Sequence, residues 1–128
     1  MEIVTHNPAS GIYPATADYA HAVELRGPAR LLFISGTMGL DAHGVAGRTL
    51  EEQLELIWSN IGTILGSGGM TFDNIVRLTS YLRDPAYAEE NAKARVKALN
   101  GRVIPTIGIV AQTLSSDWLV EIEVIAAA

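Results

Sequence analysis

Only two segments of this chain have the pattern of a surface helix, whereas six have the pattern of a strand. This imbalance limits the folds that are open to it. A helix with one apolar stripe covers one face of a sheet and keeps its own far side in water. Two such helices can therefore cover only one face of a sheet built from these strands. The other face must be covered by something outside the single chain.

The first helix is predicted to begin at a T-x-x-E capping box, in which Thr49 caps the helix and Glu52 closes the box. Glycines at 66, 68 and 69 are predicted to end it. Between them, apolar residues recur at spacings of three and four and form one stripe. The stripe consists of Leu54, Ile57, Trp58, Ile61, Ile64 and Leu65.

The second helix is predicted to begin at Asp84–Pro85, where the aspartate is a good N-cap and proline suits the first helical position. It is expected to run to about Asn100, with Gly101 ending it. Its inward residues are expected to be Ala88, Ala92, Val96 and Leu99.

The strand-like runs lie at about residues 2–6, 19–26, 30–36, 74–82, 103–114 and 118–126. The run at 30–36 is apolar without alternation, which is typical of a strand covered on both faces. A turn at Gly27–Pro28 and a hairpin at residues 115–117 are predicted to join consecutive strands. The resulting order, β-β-β-α-β-α-β-β, predicts one α+β domain over residues 1–128. In it, two helices cover one face of a sheet of about six strands.

The composition agrees with a second face that is also hidden from water. Hydrophobic residues make up 48% of the chain and charged residues only 18%. The charged share lies below the quarter or so that is usual for a soluble domain. Assembly of several copies through the sheet is the simplest explanation.

Several classes of protein are excluded or disfavoured by the residues that the chain lacks. With no cysteine there is neither a disulfide nor a thiolate nucleophile. A net charge of −5 argues against nucleic acid as a partner. No apolar run is long enough to span a membrane, and the N-terminus does not have the layout of a signal peptide, so a cytoplasmic protein is expected. The three histidines are scattered, and we therefore expect no metal site.

The remaining candidate for chemistry is a pair of acids on the last strand. Glu121 and Glu123 lie two residues apart and therefore share a face of the sheet. Alternating charge is also the ordinary pattern of a half-exposed strand. Residue patterns alone thus predict an oligomeric α+β domain and no particular reaction.

A series of short segments along almost the whole chain carries more information than any one of them. They are Asn7–Ala9, Leu32–Thr37, Glu52–Gln53, Ser59–Ile61, Leu65, Gly68–Gly69, Asp73–Thr79, Asn91, Ile104–Pro105 and Val120–Ala126. In this order and spacing they resemble the Rid family (reactive intermediate deaminases, also called YjgF-like). The resemblance implies a chorismate-mutase-like fold in a homotrimer, whose three sheets form a central barrel with clefts between subunits. It also implies cofactor-free hydrolysis of small imines and enamines to carbonyl compounds and ammonia.

The resemblance also implies roles for particular residues. Glu121 corresponds to the glutamate that positions the attacking water, and Glu123 is the alternative register. Tyr19 corresponds to a tyrosine that lines the cleft, with Tyr13 as the alternative. Further cleft positions correspond to Ser35, Gly36 and Asn91.

One departure from the family pattern bears on the substrate. Deaminases of this family carry an arginine shortly after the proline of the fifth strand, where it binds the substrate carboxylate. Counting from Pro105 puts Ile107 in that place, and counting back from Glu121 puts Thr106 there. Neither is basic, and residues 103–128 contain no Lys or Arg. Arg77, Arg83 and Arg102 remain as cations that could reach a cleft, although each has an ordinary structural explanation.

The sequence therefore predicts an imine or enamine hydrolase of the Rid type with an altered substrate preference. A trimeric protein that binds a metabolite or a partner without catalysis is the alternative. RNA cleavage, which the family's older name implies, is disfavoured because a trimer would carry three times the negative charge of one chain.

Overall fold

The structure is a computed structural model that describes residues 1–128. Its strands are β1 (Glu2–His6), β2 (Ala22–Arg26), β3 (Leu31–Met38), β4 (Ile75–Leu82), β5 (Thr106–Val110) and β6 (Val120–Ala127). Its helices are α1 (Leu50–Ser67) and α2 (Ala88–Ala98), and short 3₁₀ turns lie at Phe72–Asn74 and Pro85–Tyr87. The predicted element order and the α+β class are confirmed. No helix is long and apolar enough to cross a membrane.

The six strands form two sheets, so the expectation of one sheet of about six strands is corrected. β1 and β2 pair with each other alone, and the remaining four form a mixed sheet in the order β3-β6-β4-β5. In this sheet β6 is antiparallel to both neighbours and β4 is parallel to β5. Gly27 has a positive φ of 86° and Pro28 has no N–H to donate. β2 and β3, on the two sides of this turn, do not pair with each other.

The predicted hairpin between the last two strands is wrong, because β6 lies in the middle of the sheet and β5 at its edge. Long-range hydrogen bonds hold the connection at residues 111–119 in its crossing path. Arg83 Nη1 donates to the carbonyl of Thr113 at 3.0 Å. The amide of Leu119 donates to Gln53 Oε1 of α1 at 2.9 Å.

The helices pack on one face of the four-stranded sheet and enclose the core. Thr49 caps α1 as predicted, accepting a hydrogen bond from the amide of Glu52 at 3.1 Å. The apolar stripe of α1 is buried except for Ile64, which is 37% exposed.

The inward side of α2 is partly polar and differs from the expected one. Ala94 and Ala98 pack against the core, whereas Ala88 and Val96, which were expected inside, are exposed. Leu99 is buried as predicted, but the buried residues within α2 itself are Asn91 and Arg95. The guanidinium of Arg95 donates to the carbonyl of Asp18 at 2.7 Å and to its carboxylate at 3.0 Å. These bonds compensate the buried charge, and α2 therefore turns this side toward the loop before β2.

The opposite face of the four-stranded sheet carries no helix, and we call it the open face. Large apolar side chains are exposed there, including Phe33 (69%), Ile107 (46%) and Ile109 (40%). Exposed large apolar side chains on one face of a sheet are typical of an interaction surface.

Candidate active site

Polar residues of β4 and β6 stand opposite each other on the open face. On this face, Arg77 pairs with Ile125, Thr79 with Glu123, and Tyr81 with Glu121. Residues two apart on a strand share a face, and directly paired residues point to the same side. The intervening residues of β6 are fully buried under the helices, so the glutamates lie on the open face.

A bulge in β3 creates the space for the carboxylate of Glu121. The register between β3 and β6 shifts between Ile34 and Thr37, which places Ser35 and Gly36 within the irregularity. A Cβ atom at Gly36 would lie 2.1 Å from Glu121 Oε2. The carboxylate therefore rests directly against the backbone of Gly36, where only glycine leaves enough room.

The carboxylate of Glu121 is half-buried and forms no hydrogen bond or ion pair with another side chain. It opens into a small depression of about 170 Å³, which we call the Glu121 cleft. The other lining residues are Tyr81, Ala111, Gln112, Thr113 and Leu114. Both carboxylate oxygens can therefore accept hydrogen bonds from water or from a ligand.

Glu123 has a different hydrogen-bonding environment from Glu121, although the sequence does not distinguish the two residues. Tyr81 Oη donates a hydrogen bond to Glu123 Oε1 at 2.7 Å. This hydrogen bond is the largest cause that raises the pKa of Tyr81 above its ordinary value, and partial desolvation adds to it. One oxygen of Glu123 is thus already engaged by a neutral phenol.

A second and larger depression, of about 400 Å³, lies on the other side of β4 and is called here the tyrosine cleft. It is lined by Tyr13, Tyr19, Ala20, His21, Arg77, Pro105, Thr106 and Ile107. Both tyrosines that were considered as cleft residues are in it, as are both candidates for the place of the family arginine.

His21 stands between the two tyrosines of this cleft. Its ring meets those of Tyr13 and Tyr19 edge-on, with centroid distances of 5.1 Å and 5.6 Å. His21 Nε2 lies 2.9 Å from the carbonyl oxygen of Tyr13. Because a carbonyl can only accept, Nε2 carries the proton of this hydrogen bond, and in the neutral ring Nδ1 is an acceptor.

The loop that carries Tyr19 is fixed at two points. The buried guanidinium of Arg95 binds Asp18, and the amide of Ala20 donates to the carbonyl of Ile104 at 3.2 Å. The pKa of Asp18 is lowered below its usual range, first by the hydrogen bond from the Thr16 hydroxyl and next by Arg95. The wall of the tyrosine cleft is therefore anchored to α2 and to the segment before β5.

The sequence-predicted site residues do not lie together in one chain. Tyr19, Thr106 and Ile107 line the tyrosine cleft, whereas Glu121 lies with Gly36 at the other. From the register and the usual strand spacing, the Cα atoms of Ile107 and Glu121 are about 12 Å apart. The other two predicted residues lie in neither cleft: Ser35 is exposed on the β3 bulge, and Asn91 is buried on α2 with its Oδ1 unpaired.

Two further residues line the tyrosine cleft: Arg77, which the sequence left as one of three possible cleft cations, and His21, for which it predicted no role. The alternation of β4 correctly indicates that Arg77 is exposed, but it does not show which loop folds over that face. His21 lies in a segment without periodicity, and no local signal brings its ring beside the tyrosines.

The three candidate cations also differ in the structure. Arg83 is bound to the segment at Thr113, and Arg102 Nη2 donates to the carbonyls of Phe72 and Ile75 at 2.7 Å and 3.2 Å. Arg77 forms no such bonds and lines the tyrosine cleft. No group of three or more acidic, histidine or cysteine side chains is arranged to hold a metal ion.

Comparison with known proteins relates this geometry to a family. A family model described as "Endoribonuclease L-PSP" matches residues 11–128. The RutC family protein YjgH of Escherichia coli is 30% identical over 76 residues, which are 59% of this chain and 57% of that protein. A RutC family protein of Aquifex aeolicus is 37% identical over 67 residues, which are 52% of this chain and 51% of that protein. The chain thus spans a little over half the length of these two relatives.

Solved structures show the same fold over greater lengths. The chain resembles YyfB of Yersinia pestis, described as a protein of unknown function of the conserved Rid protein family. The TM-score is 0.81, the identity is 27%, and the match covers 100% of both chains. RidA from an Antarctic Psychrobacter species has a TM-score of 0.73 at 23% identity, covering 89% of this chain and 91% of that one. The second likeness concerns the fold alone.

Proposed function

Because this chain belongs to the endoribonuclease L-PSP family, which includes the Rid and YjgF-like proteins, we propose that it hydrolyses small imines and enamines. An enamine first becomes the imine by moving a proton from nitrogen to carbon. Water then adds to the carbon of the C=N bond while the nitrogen gains a proton. The C–N bond of the adduct then breaks, leaving a carbonyl compound and ammonia. An imine carbon is already electrophilic, so the protein need only orient it, position the water and manage the proton transfers. The proposed reaction uses no cofactor and no metal.

The observation that carries this proposal is the unpaired carboxylate of Glu121 against Gly36. A carboxylate that accepts a hydrogen bond from water turns an oxygen lone pair of that water away from itself and toward the substrate. Glu121 is free to do so, whereas Glu123 already accepts a hydrogen bond from Tyr81. We therefore assign the positioning of water to Glu121.

We further propose that the site forms between copies of the chain in a homotrimer. The two clefts are separate in one chain, and the open face between them exposes apolar side chains such as Phe33 and Ile107. If the tyrosine cleft of one copy faces the Glu121 cleft of the next, the predicted residues other than Ser35 and Asn91 contribute to one site. Burial of the open face would also account for the low share of charged residues.

The proposed substrate preference differs from that of the usual family member, because β5 offers no cation. Thr106 is half-buried and Ile107 is exposed and apolar, so this part of the cleft favours an apolar substrate group. The alternative, a trimer that binds a metabolite without turning it over, would use the same two clefts.

The test compares the release of ammonia from imines that an oxidase generates in the assay. Glu121→Gln keeps the shape of the side chain and removes its charge, and it should lower kcat about 100- to 10,000-fold. Glu123→Gln should lower kcat much less, and Glu55→Gln on the outer side of α1 controls for the loss of one negative charge. Thermal unfolding of each variant establishes that it is folded.

Equal turnover by Glu121→Gln and the parent would contradict the role of Glu121. Saturable binding with no turnover by the parent would favour the alternative.

A further inference from the structure

Arg77 occupies the side of the tyrosine cleft next to the segment of β5 that lacks a basic residue. It precedes Leu78, which pairs with Thr106 and donates its amide to the carbonyl of Pro105 at 3.3 Å. Arg77 is thus one strand away from the positions at which the family pattern has an arginine. A cation is present in this cleft, but it comes from β4.

The guanidinium of Arg77 is exposed and has no ion pair within the chain. No Asp or Glu lines the tyrosine cleft. The nearest acid along the paired strands of the open face is Glu123, two register positions from Arg77. The two residues share a neighbouring depression of about 180 Å³ without forming an ion pair, and Glu123 accepts a hydrogen bond from Tyr81. A planar fork of N–H donors without a protein acceptor is well suited to a carboxylate.

The other walls of the cleft define the remainder of the ligand. The rings of Tyr13 and Tyr19 form one side, and the apolar side chain of Ile107 forms another. We propose that Arg77 binds the carboxylate of the substrate in place of the missing β5 arginine, while Ile107 and the tyrosine rings contact an apolar side chain. The tyrosine cleft is then selective for small carboxylates with apolar side chains.

The role of this residue in turnover rests on the proposed function and requires two copies of the chain. Arg77 and Glu121 are four residues apart along paired strands, so their Cα atoms are about 14 Å apart. In a 2-imino acid the carboxylate is attached to the very carbon that water attacks. In one chain these two residues also line separate clefts, so in the arrangement proposed above Arg77 of one copy acts with Glu121 of another.

The first test measures binding without turnover. The probe is 4-methyl-2-oxopentanoate, the product expected from the imine of leucine, and 3-methylbutanal has the same side chain without the carboxylate. Arg77→Met should raise the Kd for the oxo acid about 10- to 100-fold and leave that for the aldehyde unchanged. Arg26→Met removes an exposed guanidinium from the two-stranded sheet and should change neither. Tight binding of the oxo acid by Arg77→Met, or no binding by the parent protein, would overturn the proposal.

The second test mixes Arg77→Met and Glu121→Gln subunits after joint unfolding and refolding. If each site takes Arg77 from one copy and Glu121 from another, random mixing at equal amounts restores about one quarter of the sites. At a concentration of the leucine imine well below KM, ammonia release should return to about one quarter of the parent rate, whereas each variant alone should stay below about one tenth of it. An unchanged KM in Arg77→Met alone would refute the role of Arg77 and leave the proposed reaction intact. Arg77-dependent binding without any turnover by the parent would refute the reaction and leave the binding role intact.

Discussion

Replacing Gly36 by alanine should strongly lower the activity of the protein without unfolding it. The added Cβ would lie 2.1 Å from Glu121 Oε2 and 3.0 Å from its Cδ, so the carboxylate must move by more than 1 Å to reach ordinary contact. The obstructing atoms belong to the end of a flexible side chain, which can swing aside at little cost. A displacement of about 1 Å in a catalytic group can lower the rate about 100-fold.

The stability of this variant should stay within about 1 kcal/mol of the parent. Alanine restricts the unfolded chain and so favours folding slightly, which offsets the cost of moving the carboxylate. Gly39→Ala is the matched contrast, because its Cβ would meet the backbone of Gln53 in α1 at 2.6 Å. A backbone cannot swing aside, and this variant should lose several kcal/mol.

The assay combines kcat for ammonia release with thermal unfolding of Gly36→Ala, Gly39→Ala, Glu121→Gln and the double variant Gly36→Ala/Glu121→Gln. Because the first substitution acts only by displacing the carboxylate, the double variant should be no slower than Glu121→Gln alone. A Gly36→Ala protein with the parent's kcat would refute the reasoning. A large loss of stability in that variant would show that the bulge, and not the carboxylate, yields to the new methyl group.

Two further predictions concern the anchoring of the tyrosine cleft and the open face. The depressed pKa of Asp18 means that its carboxylate stabilises the fold above about pH 4 and that this contribution is lost as the pH falls further. Asp18→Asn should therefore lose less thermal stability than the parent between about pH 5 and pH 3. At neutral pH the difference should stay below about 1 kcal/mol, since this side chain is 44% exposed. Parallel pH profiles would exclude the effect. Phe33→Asp should reduce the mass in solution to that of a monomer and abolish turnover, whereas Ile64→Asp on α1 should do neither. A Phe33→Asp protein of unchanged mass would mean that copies do not meet through this face.

Local patterns account for the elements and for which residues face which side. The capping residue Thr49 and the stripe of α1 lie where their spacing predicts, and the alternation of β6 places Glu121 and Glu123 on one face. On α2 the same approach failed, since an alanine stripe looked apolar while Arg95 found a partner in Asp18, 77 residues away in the chain. Hydrophobic periodicity depends only on the polarity of each side chain. It therefore does not show that a buried arginine has an acidic partner elsewhere in the chain.

The sequence by itself determined the α+β class, the two helices, the strand faces and an uncovered sheet surface, because helix caps and side-chain periodicity act over only a few residues. Tertiary structure alone decided that β6 lies between β3 and β4, and this pairing gives Glu121 a free carboxylate and Glu123 a tyrosine partner. It likewise brought Arg77 beside the loop that carries Tyr19. Strand order and loop position depend on hydrogen bonds between distant residues, and no short segment of the chain contains that information.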